Sequence, residues 1–270
     1  MRPANAVVAG LAAILGYGIA AGTLVPGTLL LFATVVLITA GGNTINDYFD
    51  ADIDRINRPE RPIPAGEVRI RGAVNEAFIL FFFGILIVVF TNIICIGIAV
   101  FNSLLLILYA ARLKRSFFAG NLAVSYLSAS IFLFGAAYLG FDGIITVLPI
   151  ALVTFFAMVS REVLKTAEDV EGDAASGADT VPVRYGVRIA VFLSAFFALC
   201  AVVGSIYPVL WWGIWYLGGI LIVDAVILFA AFSPMFCRDP RCVRDTKATS
   251  FLKAGMFASL VVFTLAALFA

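Results

Sequence analysis

The chain has 270 residues, is 63% hydrophobic and 13% charged, carries a formal net charge of +1 and contains no histidine. That composition excludes a soluble domain with an ordinary core and any chemistry built on imidazole; it belongs to a membrane protein, and no nucleic-acid partner is expected. Nine apolar stretches, at about residues 5–23, 27–47, 73–91, 93–110, 120–140, 144–163, 187–207, 211–233 and 250–269, are each long enough to cross a hydrocarbon layer about 30 Å thick. Inside lipid the backbone must satisfy its own hydrogen bonds, and long non-alternating runs argue against a barrel. The expected fold is therefore all-α, a polytopic membrane protein of nine transmembrane helices forming one domain over residues 1–270.

The first stretch is rich in Gly and Ala, which lets helices approach closely. It lacks a convincing small-residue cleavage site, so a retained span is expected rather than a cleaved signal. The second stretch runs into Gly41–Gly66, GGNTINDYFDADIDRINRPERPIPAG, where four aspartates and two asparagines fall within twelve residues. On a helix turning about 100° per residue, Asp50 lies about 60° from Asp47 and Asp54 about 20° from it, while Asp52 points about 140° away. Asn43 and Asn46 share the arc of Asp47, Asp50 and Asp54. Like charges at these spacings destabilise a helix, so a cation is expected to offset them. Hard divalent ions such as Mg²⁺ take such oxygen ligands.

Pro59, Pro62, Pro64 and Gly66 follow among the arginines, predicting an ordered, turn-rich loop rather than a helix. Spans three and four carry little chemistry until Tyr109, followed by Arg112, Lys114 and Arg115. Span six leads into SREVLKTAEDVEGDAASGADTVPVRYG. If its helix continues, Arg161, Lys165, Asp169 and Asp173 drift only about 40° per step and form one stripe. Basic before acidic is the less favourable order for helix-stabilising pairs, so a shared ligand explains the stripe better than a salt-bridge ladder. Glu168 and Glu171 point away from it. Asp224, alone within span eight, is a functional candidate by default, with cavity-lining and hydrogen-bonded packing roles both open.

Cys95 and Cys200 lie in apolar spans as packing residues. Cys237 and Cys242 are close enough to approach a metal or each other, but no histidine accompanies them and no zinc site is expected.

All 18 basic residues fall at the N-terminus, in or beside the second, fourth, sixth and eighth connections, or just inside span nine. By the positive-inside rule these face the cytoplasm, placing the N-terminus inside and both acidic clusters at the cytoplasmic face. Trp211, Trp212, Trp215 and Tyr216 then mark the outer interface. Four spans separate the two acidic clusters, hinting at two related halves.

Two acidic faces at one end of an apolar bundle suit Mg²⁺ and a diphosphate whose hydrocarbon tail lies in the membrane. Arg58, Arg61, Arg112, Lys114, Arg161 and Lys165 are candidates to neutralise its remaining oxygens. Tyr109 either turns its ring toward an allylic cation or is simply an interfacial tyrosine.

Asn46-Asp47-x-x-Asp50-x-x-x-Asp54 resembles the first signature of the UbiA-type intramembrane prenyltransferases, and Asp169-x-x-x-Asp173, within EDVEGD, resembles their second. RPIPAG at 61–66 and the Tyr109/Lys114 segment are similar too, and the similarity spans essentially the whole chain. The resemblance implies nine helices around a central cavity open to lipid, and Mg²⁺-dependent prenyl transfer. It makes Asn46, Asp50, Asp54, Asp169 and Asp173 metal or diphosphate ligands, with Asp47 beside them in the metal set; Asn43, from its place on the same arc, is a candidate substrate contact. Asp50, Asp54, Asp169, Asp173, Tyr109 and Lys114 would carry the reaction.

Within that superfamily, MRPANAVVAG, Tyr109-Ala-Ala-Arg-Leu-Lys and REVLKTAEDVEGD are most similar to the archaeal members. Those transfer geranylgeranyl from its diphosphate to the hydroxyl of geranylgeranylglyceryl phosphate, forming the second ether bond of archaeal membrane phospholipids. Thr166 stands where many relatives carry a further aspartate, so no ligand is expected there. The anionic acceptor needs another basic contact, expected from Arg2 or the 184–188 segment. Without imidazole, departing diphosphate or an aspartate is expected to take the hydroxyl proton.

Two other readings stay open. One is an aromatic prenyltransferase of quinone-type lipid synthesis. The other is a cation-coupled transporter, which fits less well because transporter sites lie near the midplane at broken helices. No obligate protein partner is expected.

Overall fold

The computed structural model describes residues 3–269. Thirteen α-helices follow one another among these residues: α1 (Pro3–Ala21), α2 (Thr28–Phe49), α3 (Ala51–Asn57), α4 (Ile70–Val88), α5 (Ile93–Ala111), α6 (Ala119–Ala136), α7 (Phe141–Glu168), α8 (Val170–Ala175), α9 (Val181–Tyr185), α10 (Val187–Ser205), α11 (Val209–Phe232), α12 (Pro240–Asp245) and α13 (Ala248–Phe269). No strand occurs among them. Nine, all but α3, α8, α9 and α12, are long and apolar enough to cross a membrane. The chain is thus an all-α, multi-pass membrane protein. The largest departure from the expected boundaries is in span six, which runs on to Glu168 before breaking.

The chain divides into two compact units, one of residues up to Arg112 with Ser130–Thr146, the other of Leu113–Ala129 with Val147 onward. In the first, α2 packs on α1, α4 and α5. The close approach expected of the Gly- and Ala-rich first span is realised. A Cβ on Gly16 would stand 2.5 Å from the Phe132 carbonyl oxygen, and one on Gly135 only 1.9 Å from that of Ala13. Asn92 caps α5, its Oδ1 accepting from the Ile94 and Cys95 amides while its Nδ2 donates to the Ala137 carbonyl at 2.7 Å.

In the second unit α11 packs on α10 and α13, and buried Ser160 and Ser194 join α7 to α10 at 3.1 Å. The expected aromatic belt divides. Trp215 is 91% exposed, whereas Tyr216 is 2% exposed and donates its hydroxyl hydrogen to the Ser205 carbonyl. Gly213, at φ 65° and ψ −155°, interrupts α11 between Trp212 and Trp215. Tyr216 belongs to the core rather than to the interface.

Candidate active site

The first acidic face is built at the end of α2. The helix stops at Phe49, and Asp50 adopts φ −90° and ψ −2°, the sparsely populated bridge conformation. The ladder nevertheless continues: the Asp50 amide donates to the Asn46 carbonyl at 3.0 Å, and the Asp54 amide to that of Asp50 at 2.8 Å. α3 therefore carries Asp54 on the same face, as the helical spacing predicts. Asn46 Nδ2 donates to Asp50 Oδ2 at 2.8 Å.

The proline-rich connection is the ordered, turn-rich loop expected of it. The Ala65 amide bonds back to the Arg61 carbonyl at 2.8 Å and the Val68 amide to that of Pro62 at 3.0 Å, with Gly66 at φ +79°. The fold returns Arg61 to the acidic face. Its Nη1 donates to Asp54 Oδ2 at 2.5 Å and to Asp47 Oδ1 at 3.4 Å. The Asp54 side chain is 8% exposed and that of Arg61 18%, so the pair is held largely out of water. Thr44, Asp47, Asp54, Arg61, Val68 and Glu76 line a small open cavity here. Asn43 Nδ2 is buried without a hydrogen-bond partner. Asp52 is turned away and pairs with Arg55 at an exposed position. Arg58 and Arg112 are exposed at the ends of α3 and α5, and Tyr109 is half-buried near the end of α5.

The second acidic face uses the same local construction. α7 ends at Glu168 and Asp169 takes φ −96° and ψ 5°. Its amide donates to the Lys165 carbonyl at 3.1 Å, and the Asp173 amide to the Asp169 carbonyl at 3.0 Å. The expected continuous helix is therefore broken, but its four-residue spacing survives the break. Asp169 and Lys165 are exposed, while Asp173 and Arg161 are half-buried. Burial pushes the Asp173 carboxyl above the usual aspartate range, and the negative charge of Asp169 pushes it the same way. Arg161 pairs with Glu162 through Nη1, but its Nε is buried without a partner. Thr166 turns its hydroxyl onto the Val163 carbonyl.

Lys114 sits in a 3-10 turn, Leu113–Arg115, half-buried. That turn is fastened to the loop beyond Asp173. The Asp179 amide donates to the Arg115 carbonyl at 2.9 Å, and the Arg184 guanidinium lies 4.9 Å from the centre of the Phe117 ring. Arg184 is also ion-paired with Asp179, and Arg188 lies over Phe192. Both arginines of the 184–188 segment thus have local partners. Arg2, the other expected acceptor contact, lies outside the described residues.

Asp224 is buried, and Ser205 Oγ donates to its Oδ2 at 2.7 Å. This is a packed, hydrogen-bonded carboxylate. Cys237 and Cys242 are joined as a disulfide. By helical rotation Glu168 points away from the acidic stripe, and Arg244 is one of the basic residues that mark the topology. The structure brings the two together, because Arg244 Nη1 donates to the Glu168 carbonyl at 2.7 Å. A pairing across 76 residues leaves no periodic signal in the sequence.

No group of three or more His, Cys, Asp and Glu side chains is gathered to hold a metal ion among the described residues. Mg²⁺ keeps several waters and is bound through one or two carboxylates plus substrate phosphates, so it needs no closed protein cage. The oxygen donors of both faces fit that demand. The unpartnered Nδ2 of Asn43 and Nε of Arg161 are donors suited to phosphate oxygens.

The profile of the UbiA prenyltransferase family matches residues 9–266. A digeranylgeranylglyceryl phosphate synthase from Methanoregula boonei is 59% identical over 268 residues, covering 99% of this chain and 96% of the relative. A solved digeranylgeranylglyceryl phosphate synthase structure is similar at a TM-score of 0.84 and 34% identity, covering 99% of this chain and 95% of that one. A UbiA homologue from Archaeoglobus fulgidus, solved bound to GPP and Mg²⁺, shares the fold at a TM-score of 0.63 and 16% identity, over 93% of this chain and 96% of that one.

Proposed function

The chain belongs to the UbiA prenyltransferase family, and we propose that it transfers geranylgeranyl from geranylgeranyl diphosphate to the hydroxyl of geranylgeranylglyceryl phosphate. The product would carry the second ether bond of an archaeal membrane phospholipid. Relatives of that name matching nearly the full chain support this choice of substrates. The observation that carries the site is the Arg61 bridge to Asp47 and Asp54. It marks those carboxylates as a pair that needs a cation, held beside a loop rich in turns.

Asn46, Asp47, Asp50 and Asp54 of the first face, with Asp169 and Asp173 of the second, are the side chains proposed to hold Mg²⁺ and, through it, the diphosphate. Mg²⁺, when bound, would offset the negative charge that develops on the departing diphosphate. Arg61 exchanges its carboxylate partners for diphosphate oxygens, its planar fork suiting bidentate contact. Arg58, Arg112, Lys114, Arg161 and Lys165 supply further positive charge, and Asn43 donates from its amide. The Tyr109 ring faces the allylic carbon as its bond to oxygen breaks. The acceptor oxygen forms the new bond and releases its proton to an aspartate or to diphosphate, since the chain has no histidine. The active site faces the cytoplasm, where the basic connections lie, and residues 1–270 act as one catalytic domain.

The test is a membrane assay with geranylgeranyl diphosphate and Mg²⁺, offering geranylgeranylglyceryl phosphate and a hydroxybenzoate together. Ether product on the glyceryl phosphate is expected. Product on the aromatic ring alone overturns the assignment of acceptor.

A further inference from the structure

We propose that Arg244 and Thr249 are positioning residues for the second acidic face, fixing the end of α7 and with it the place of Asp169. The inference rests on the reading that Asp169 and Asp173 bind metal and diphosphate. Glu168 is the last residue of α7 and the neighbour of Asp169. The last carbonyls of a helix have no partner within it, and a cation suits that negative end. Arg244 supplies one, its Nη1 donating to the Glu168 carbonyl at 2.7 Å and its Nη2 lying 3.4 Å from Glu171 Oε2. Thr249 Oγ1 lies 2.9 Å and 3.1 Å from the two oxygens of the Glu168 carboxylate. Two side chains from 73 to 81 residues away thus hold the backbone and the side chain of one helix end.

The segment that presents them is itself braced. The Cys237–Cys242 disulfide closes it, and Asp239 Oδ1 accepts the Cys242 amide at 2.9 Å to cap α12. Val243 and Ala248, flanking the turn between α12 and α13, are fully buried. The Arg244 and Glu171 side chains are 42% and 63% exposed, so their ion pair adds little stability. What the contacts supply is geometry: they decide where α7 stops, and the break places Asp169. Support of this kind around a metal ligand is worth about tenfold or more in metal affinity.

The experiment uses the purified full-length protein and geranylgeranyl thiolodiphosphate, an analogue resistant to transfer. The Mg²⁺ concentration for half-maximal analogue binding is measured by calorimetry, beside turnover and thermal unfolding. Arg244→Ala and Thr249→Val are each expected to raise it about tenfold, with kcat lowered and the acceptor KM unchanged. Arg244→Lys, which keeps a donor for the carbonyl, restores most of the loss. Arg241→Ala, exposed on the same short helix, matches the wild type. An unchanged Mg²⁺ requirement in Arg244→Ala and Thr249→Val overturns the proposal, whatever happens to their melting temperatures. If Arg244→Ala does not fold, Arg244→Gln takes its place in that comparison. Asp169→Asn separates the two readings. If it retains Mg²⁺-dependent binding, the metal role of this face fails and the proposal falls with it. If it loses that binding while the positioning variants keep theirs, only the positioning role fails.

Discussion

Asp50 and Asp169 occupy the same backbone conformation, φ −90° and ψ −2° against φ −96° and ψ 5°, each in a one-residue break after a membrane-spanning helix. On both sides of each break the hydrogen bonds keep their four-residue reach. An aspartate four residues on, Asp54 or Asp173, therefore stays on the same face. Functional residues concentrate in this sparsely populated region. Two separate acidic segments thus reach one local solution for presenting carboxylates at a helix end.

Asp50→Ala and Asp169→Ala are each expected to lower turnover about a thousandfold, as loss of several kcal/mol of charge stabilisation requires. Asp52→Ala, which removes an exposed carboxylate paired with Arg55, changes turnover less than about twofold. Radiolabelled prenyl transfer in isolated membranes compares the three. Equal losses in all would show that the acidic segment acts as bulk negative charge.

Arg61→Gln removes the guanidinium charge from beside Asp47 and Asp54. Breaking a buried pair from one side costs about 3–5 kcal/mol, so in metal-free buffer the melting temperature falls. Saturating Mg²⁺ returns part of that loss, because the freed carboxylates accept the ion. A variant destabilised to the same extent with and without Mg²⁺ contradicts a shared carboxylate site.

Gly135→Ala places a methyl group 1.9 Å from the Ala13 carbonyl oxygen. Backbone cannot yield as a side-chain tip does, so the cost is at least about 1–3 kcal/mol. Gly97, by contrast, lies inside α5 with open space around its missing Cβ, and Gly97→Ala gains about 0.5–1 kcal/mol of helix preference. Thermal unfolding in detergent should move the two variants in opposite directions.

Burial and the charge of Asp169 raise the native pKa of Asp173 above its unfolded value. The native state then binds that proton more tightly than the unfolded chain does. Its contribution to stability is complete below the ordinary aspartate value of about 3.9 and is lost as pH rises through the native one. In metal-free buffer, Asp173→Asn should flatten that step in the melting temperature against pH. An unaltered profile would show that Asp173 titrates like a solvated aspartate.

Asp224 keeps its acceptor role toward Ser205 when replaced by Asn. Asp224→Asn should therefore transfer prenyl groups within about twofold of the wild type, whereas Ser205→Ala, which strands a buried carboxylate oxygen, costs about 1–3 kcal/mol of stability. Severe loss of turnover in a normally stable Asp224→Asn protein would instead place the carboxylate in the reaction.

Some of this was legible in the sequence because its signal is local. Nine spans follow from runs of apolar residues, since lipid leaves the backbone no partner but itself. The arc of Asp47, Asp50 and Asp54 follows from helical rotation, and Arg61 meets Asp47 and Asp54 on it. The alternation of basic connections set an expected topology in the same way.

Other features were not legible. Tyr216 reads as an interfacial aromatic but turns inward to Ser205. Arg184 reads as one of several candidate contacts for the acceptor, and its pairing with Asp179 and Phe117 gives no sign in the sequence. Glu168 reads as pointing away from the acidic stripe, and its capture by Arg244 and Thr249 leaves no local signal. The sequence by itself determined the membrane class, the nine helices and which carboxylates share a face, because rotation and hydropathy act over a few neighbouring residues. Only the tertiary structure decided where α2 and α7 break and which cation each carboxylate meets, because those partners come from 7 to 81 residues away and are chosen by packing.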